Sequence, residues 1–276
     1  MKCLYHSADL DGNCSGALIK MRYPECEMYG IDYGIDFPWG IIDPDEKIFM
    51  VDYSLQPFTD MIKLHELLGD NLIWIDHHIS AILESEEYGK HIDGTRDSEF
   101  AACELVWNYI KSDTNTPTFV TLLGRFDVWD HTDGRVLPYQ YGMKQYDCNP
   151  NNVDFWHEMF DTERVVQIIN EGEIILRYIK EDNTKYAKTN AFETELYGRK
   201  CIAINKLQAS SIVFNSVWDN TKYDMMVAFG WRNKSWVVTM YTDNDVDVSV
   251  IAKTFGGGGH KKAAGFQCNT LPFKLN

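Results

Sequence analysis

The sequence predicts an α/β protein: a parallel-sheet N-terminal domain followed by a smaller α/β C-terminal domain. Three observations lead there. Short β-type runs alternate with helical stretches through the first half, the pattern a parallel sheet requires. A charged helical stretch interrupts that alternation, and beyond it the pattern changes to apolar strands around tight turns. The length, 276 residues with 45% hydrophobic content, is enough for two cores of modest size.

In chain order, strands are expected over Lys2 to His6, Glu27 to Tyr33, Lys47 to Asp52 and Leu72 to Asp76. Helices are expected over Gly12 to Tyr23 and Pro57 to Leu68, the second capped near Ser54 with Pro57 in its first turn. From Ser98 to Lys111, residues Ala101, Leu105, Val106 and Ile110 recur at helical spacing and predict an amphipathic helix. The stretch from Asp161 to Lys188 reads as a long charged helix. As a linker over about 161–192 it divides a domain of residues 1–185 from one of residues 186–276. In the second domain a strand near Lys200 to Ile204 and a helix near Ala209 to Trp218 come first. Two apolar strands around a turn at Trp231 to Lys234 follow, then a short helix in "VSVIAKTF", the glycines Gly256 to Gly259, and a closing strand "AAGFQC".

Composition narrows the function. A formal net charge of -15 and an estimated pI of 4.9 leave no broad basic face for a long duplex, so a nucleic-acid partner should be a short oligonucleotide or a nucleotide. The opening "MKCLYHSAD" lacks the apolar core of a signal peptide, and no stretch approaches the roughly 18 apolar residues of a membrane span, so a cytoplasmic protein without a membrane partner is expected. The seven cysteines are scattered and include no Cys-x-x-Cys pair, which reads as reduced thiols. Oligomeric state is open to a homodimer.

The acids fall in a pattern. The first strand delivers "HSADLDG", the third "VDYS" and the fourth "IDHH". Carboxyl ends of parallel strands face one crevice, where such folds bind ligands. His6, Asp9, Asp11, Asp52, Asp76, His77 and His78 can therefore converge although distant in sequence. Singly, Asp9 reads as a helix N-cap and Asp52 as a helix start. Together they place several carboxylates in one crevice, where they repel one another unless cations neutralise them. Mixed imidazole and carboxylate donors suit Mn, Fe or Zn better than Ca, and this many donors suit two ions. Two ions about 3.5–4 Å apart activate water and clamp a phosphoryl oxygen, which points to phosphoester or phosphoanhydride hydrolysis.

These residues resemble the DHH phosphoesterases, a family with a His/Asp/Asp first motif, a second-motif Asp, the Asp-His-His triplet, a fourth-motif Asp and a C-terminal associated domain with a "GGGH" signature. The corresponding stretches here are "HSADLDG", "VDYS", "IDHH", "GRFDVWDH" and "FGGGGHKKAAGF", spanning His6 to Phe266. The resemblance implies His6 and Asp9 on one ion, Asp11, His77 and Asp127 on the other, and Asp52 bridging. It gives Asp76 the task of orienting a histidine and His78 a contact with the scissile phosphate. Asp127 is preferred over Asp130 because "FDVW" is similar to the acid-x-Trp pattern of the nanoRNase B branch. Trp129 is expected to pack behind the metals, the 98–111 helix to act as support, and Arg96 and Arg125 to be surface arginines.

The glycine run has its own physics: consecutive glycines let backbone N–H groups approach an anion closely. Gly257, Gly258, Gly259, His260 and Lys261 are thus expected to hold a substrate phosphate, with Lys262 beside them. Where related proteins carry an Arg, this chain has Tyr241, which could stack on a base. The combined expectation is a hydrolase with two Mn ions that cleaves short oligoribonucleotides to mononucleotides between its domains. Cyclic dinucleotides, nucleoside 3',5'-bisphosphates, pyrophosphate or polyphosphate are alternative substrates, and a non-catalytic nucleotide-binding protein is the rival of another class.

Overall fold

The structure, a computed structural model, describes residues 1–111 and 115–275. Contacts divide the chain into two compact units, Met1–Leu176 and Arg177–Asn276.

In the first unit, β1 (Lys2–His6), β2 (Glu27–Ile31), β3 (Ile48–Val51) and β4 (Leu72–Ile75) form a parallel sheet in the order β2-β1-β3-β4. Successive side chains on a strand point to opposite faces, and both faces are covered. Cys3, Tyr5, Phe49, Val51, Ile73 and Ile75 enter one core, whereas Leu4, Ile48, Met50, Leu72 and Trp74 enter the other. This two-sided burial is why the strands read as unbroken apolar runs. Helix α1 (Leu10–Arg22) packs into the first core, and α2 (Phe58–Leu68) and α3 (Ile79–Tyr88) into the second. Helices α4 (Ala102–Ile110), α5 (Thr118–Asp127), α6 (Val136–Met143) and α7 (Val153–Glu158) complete the first. The chain leaves β1 toward β2 and leaves β3 toward β4, in opposite directions. The adjacent carboxyl ends of β1 and β3 therefore form the switch point at which open α/β sheets bind ligands.

Several boundaries differ from expectation. The strands release the chain early, so Asp32, Asp52 and Asp76 lie just past their ends. Helix α2 starts at Phe58, with Pro57 at the capping position; Ser54 is buried ahead of it, and its hydroxyl makes no cap. Helix α4 begins at Ala102, four positions after the expected start at Ser98. Helices α3, α5, α6 and α7 were not anticipated, because each is short and carries Gly, Pro or Asp close to its ends.

Helix α8 (Thr162–Asn190) begins in the first unit and ends in the second, so the division after Leu176 falls within it, ahead of the division expected after residue 185. In the second unit β5 (Phe192–Leu196), β6 (Arg199–Asn205), β7 (Met225–Arg232) and β8 (Ser235–Tyr241) precede helix α9 (Val248–Thr254), β9 (Gly258–His260) and β10 (Ala263–Cys268). They build a mixed sheet in the order β5-β6-β7-β8-β10-β9. Cys201, Ala203, Val227, Phe229, Val238 and Met240 pack on one face with α9, and Ile202, Ile204, Met226 and Ala228 on the other with Ala187. The helix expected over Ala209 to Trp218 is only a short 3-10 turn, Ser211–Phe214. Asn215, Ser216, Asp219 and Asn220 compete for backbone partners there and favour turns over helix. All seven cysteines are free thiols. Among the described residues no helix is long and apolar enough to cross a membrane.

Candidate metal centre

Each side chain of the acid and histidine constellation is delivered by an element end. His6 closes β1, Asp9 and Asp11 stand at the start of α1, Asp52 follows β3, Asp76, His77 and His78 follow β4, and Asp127 is the last residue of α5. Three groups have donor atoms all within 4.8 Å of one another: His6, Asp9 and Asp52; Asp11, His77 and Asp127; and Asp52, His77 and His78. The structure brings the six expected ligands together in the first two of these, with Asp52 in a position to join them.

Local structure explains the placement. Asp9 is both helix cap and candidate ligand: its Oδ1 accepts the Gly12 N–H at 2.9 Å, and its Oδ2 lies 2.9 Å from His6 Nδ1. Gly12 is required because a Cβ there would stand 2.0 Å from the His6 carbonyl oxygen. Asp11 is buried with both oxygens held by the start of α4, accepting the N–H of Ala102 at 2.9 Å and of Cys103 at 2.8 Å. The supporting helix thus acts directly on a candidate ligand. Asp52 turns out of β3 with φ 55°, a left-handed conformation that Asp tolerates better than most residues. Fully buried Asp76 accepts the His77 and His78 N–H groups and, at 2.7 Å, His78 Nδ1 on a single oxygen.

The charges respond to this crowding. Burial opposes a charged His6, yet Asp52 and Asp9 outweigh it and push the imidazole up to about 11. Burial likewise opposes a charged His77, which Asp52, Asp11 and Asp127 push up to about 10. Burial lifts the Asp127 carboxyl to about 7 against the pull of His77. It also raises Asp11, helped by Asp52 and Asp127. Asp52 goes the other way: burial works to raise it, but His6 and His77 hold it below the usual carboxylate range. His6 Nδ1 and Asp52 Oδ2 are within ion-pair distance yet lack hydrogen-bond geometry, and both atoms are buried. Buried polar atoms normally have partners. A divalent cation is a partner that this donor set, imidazole with carboxylate, fits.

Sequence reasoning missed Asp32. Its Oδ1 lies 3.3 Å from His6 Nε2 and also accepts the Tyr33 N–H at 2.7 Å. The signal was present, since Asp32 follows β2 just as Asp52 and Asp76 follow their strands.

Other candidates fall elsewhere. Asp130 pairs with Arg125 at 2.8 Å and joins none of the donor groups, which leaves Asp127 as the acid facing His77. Trp129, expected behind the metals, instead has φ 64° and a partly exposed ring against His131. Arg96 is tied to the Trp74 and Ile92 carbonyls and lies over the Trp74 ring. In the second unit the Gly256 and Gly257 N–H groups bond to the Lys253 and Ala252 carbonyls at the end of α9. Gly258, Gly259 and His260 form the edge strand β9. The run is therefore a helix cap followed by a strand, and two of its four N–H groups are already committed. Lys261 pairs with Asp245 at 3.0 Å and Lys262 bonds to the Asn244 carbonyl. The Tyr241 hydroxyl donates to the Ala209 carbonyl at 2.8 Å, with the ring against the second unit's core.

No known family model matches the chain. It is 23% identical over 252 residues to uncharacterized protein R106 of Acanthamoeba polyphaga mimivirus, an alignment covering 83% of this chain and 56% of that protein. The chain thus spans little more than half the length of this curated relative. Among solved structures, an exopolyphosphatase-related protein from Bacteroides fragilis superposes with TM-score 0.53 at 13% identity, covering 98% of this chain and 87% of its own. The pGpG-specific phosphodiesterase PggH from Vibrio cholerae superposes with TM-score 0.52 at 12% identity, covering 96% and 92%. At such identities the likeness shows a shared fold: a parallel-sheet unit followed by a smaller α/β unit.

Proposed function

We propose that the chain is a metal-dependent phosphoesterase of the DHH type, acting in the cytoplasm with two divalent ions, Mn by preference, on short oligoribonucleotides. One observation carries the reading: Asp52 offers Oδ2 to the His6 and Asp9 group and Oδ1 to the side of His77, Asp11 and Asp127. A carboxylate shared between two mixed donor groups is what a two-ion phosphoryl-transfer site requires.

His6, Asp9 and Asp52 would hold one ion, and Asp11, His77, Asp127 and Asp52 the other. Bound there, such ions supply an activated water and neutralise charge on the phosphoryl oxygens. Asp76 accepts from His78 Nδ1 and so orients that ring, whose Nε2 is proposed to donate to a substrate phosphate oxygen. Asp11 is oriented by α4, so the ligand geometry is built before substrate arrives. Short substrates are favoured by the net charge of -15, which repels a long polyanion. The fold shared with a phosphodiesterase specific for pGpG, a linear dinucleotide, supports the same substrate class. Gly257, Gly258, Gly259, His260 and Lys261 are proposed as a phosphate-binding segment of the second unit.

The test is competition. Metal-stripped protein resupplied with Mn would receive equal concentrations of a 5'-phosphorylated short RNA, a cyclic dinucleotide, an adenosine bisphosphate and pyrophosphate. Mononucleotide release from the RNA, lost in His77→Ala and Asp52→Ala, is expected. Turnover of another compound alone would replace the substrate, and no turnover despite bound Mn would point to a nucleotide-binding protein.

A further inference from the structure

A cavity of about 490 Å³ opens beside the candidate metal centre, within the size range of small-molecule sites. Tyr33, Phe37, Trp39 and Tyr53 are among its walls. Tyr33 and Tyr53 stack with ring centroids 4.5 Å apart, and Tyr33 also presents to His6 at 5.6 Å and to His78 at 6.2 Å, both edge-on. The Tyr33 ring therefore lines the cavity and also borders both imidazoles. Tyr33 is 41% exposed with one face on Tyr53, so ring surface remains for a ligand. Trp39 is partly covered by the Lys63 ammonium at 4.2 Å, which leaves Tyr33 the principal stacking surface.

The polar lining tells which part of a substrate would enter. Asp36 and Asp60 line the cavity, no Lys or Arg does, and among the described residues neither carboxylate makes an ion pair. Carboxylates repel a phosphate but accept hydrogen bonds from ring N–H and amino groups. Aromatic faces hold bases by stacking whatever their sequence. We propose that this cavity is a nucleobase site, which holds the base of the nucleotide whose phosphate lies at the metal centre and favours bases with an amino group. The assignment rests on the phosphoesterase reading, and it turns a charge-driven site into one that distinguishes nucleotides from inorganic phosphates.

The test compares guanosine 5'-monophosphate, uridine 5'-monophosphate and ribose 5-phosphate, which share sugar and phosphate, by calorimetric binding to the full chain with and without Mn. Guanosine monophosphate is expected to bind roughly tenfold more tightly than ribose 5-phosphate, the factor typical of one stacked base. That ratio should fall toward one in Tyr33→Ala and return in Tyr33→Phe, which keeps the ring. Uridine monophosphate should fall between the two. Equal affinity for guanosine monophosphate and ribose 5-phosphate, or a ratio untouched by Tyr33→Ala, would overturn the site; uridine monophosphate binding as tightly as guanosine monophosphate would overturn its preference. The ratio is formed by the chain alone and should survive without Mn. Ribose 5-phosphate binding that ignores Mn would count against the metal reading and leave the nucleobase site judged by its own ratio.

Discussion

Asp52 Oδ2 lies 3.4 Å from His6 Nδ1, and both atoms are buried without forming a hydrogen bond. The other oxygen of the same carboxylate is 3.3 Å from His77 Nε2. One side chain, turned out of β3 at the switch point of the sheet, thus addresses two histidines carried by different strands.

Asp52→Asn separates structure from ligation, because Asn also tolerates the left-handed backbone at φ 55°. The variant should keep a cooperative thermal transition yet lose Mn affinity by about a hundredfold or more, since removing even an outer partner of a metal ligand costs 10- to 100-fold. Metal content after gel filtration and a Mn titration would check this. Undiminished Mn content in Asp52→Asn would remove the bridging role.

The strand ends and their acids were legible because two-sided burial makes strands continuous apolar runs, so the first charged residue after each marks an exit. Asp52 and Asp76 were found that way, and His6 as the polar residue that closes β1. Asp127 was reached only through resemblance, because α5 is short and nothing in "TFVTLLGRFD" shows that its last residue faces a distant strand. The grip of the α4 N-terminus on Asp11 is a contact between segments about 90 residues apart and leaves no local pattern. The glycine run shows the opposite failure. Its composition suggested free N–H groups, but the end of α9 claims two of them and pairing with β10 draws the rest of the run into a strand.

Asp11 has a structural duty that can be measured without metal. Its two oxygens satisfy two buried N–H groups at the start of α4, and removing both acceptors leaves those donors unpaired. Asp11→Ala should destabilise the protein by about 2 kcal/mol, which for a chain of this size is a melting temperature lower by about 4–8 °C. Thermal melts in excess chelator would show it, with Asp11→Asn, which keeps one acceptor, in between. An unchanged melting temperature for Asp11→Ala would mean that water replaces the carboxylate.

Proton release should accompany Mn binding. Nearby carboxylates hold His6 protonated up to about 11 and His77 up to about 10, and burial keeps part of Asp127 protonated near 7. Ligands must give up these protons to bind a cation, so at pH 7 the imidazoles are in their wrong form until metal displaces the proton. Affinity should therefore rise with pH from 6 to 9. Titrations in two buffers of different ionisation enthalpy should give different apparent heats, with more than one proton released per protein. Identical heats in both buffers would contradict the picture.

The last prediction concerns Asp32, 3.3 Å from His6 Nε2. An imidazole that donates through Nε2 keeps its Nδ1 lone pair for the side facing Asp9 and Asp52, so Asp32 selects the tautomer that can ligate. Asp32 is itself held by the Tyr33 N–H, so the orientation is built into the turn after β2. Asp32→Ala should weaken Mn binding by about 10- to 100-fold, the usual cost of losing such a partner, and Asp32→Asn, which retains an acceptor oxygen, by less. A merely structural Asp32 would lower the melting temperature in chelator and leave Mn affinity alone. A positioning Asp32 should do the reverse, since its carboxylate is partly exposed and buries little.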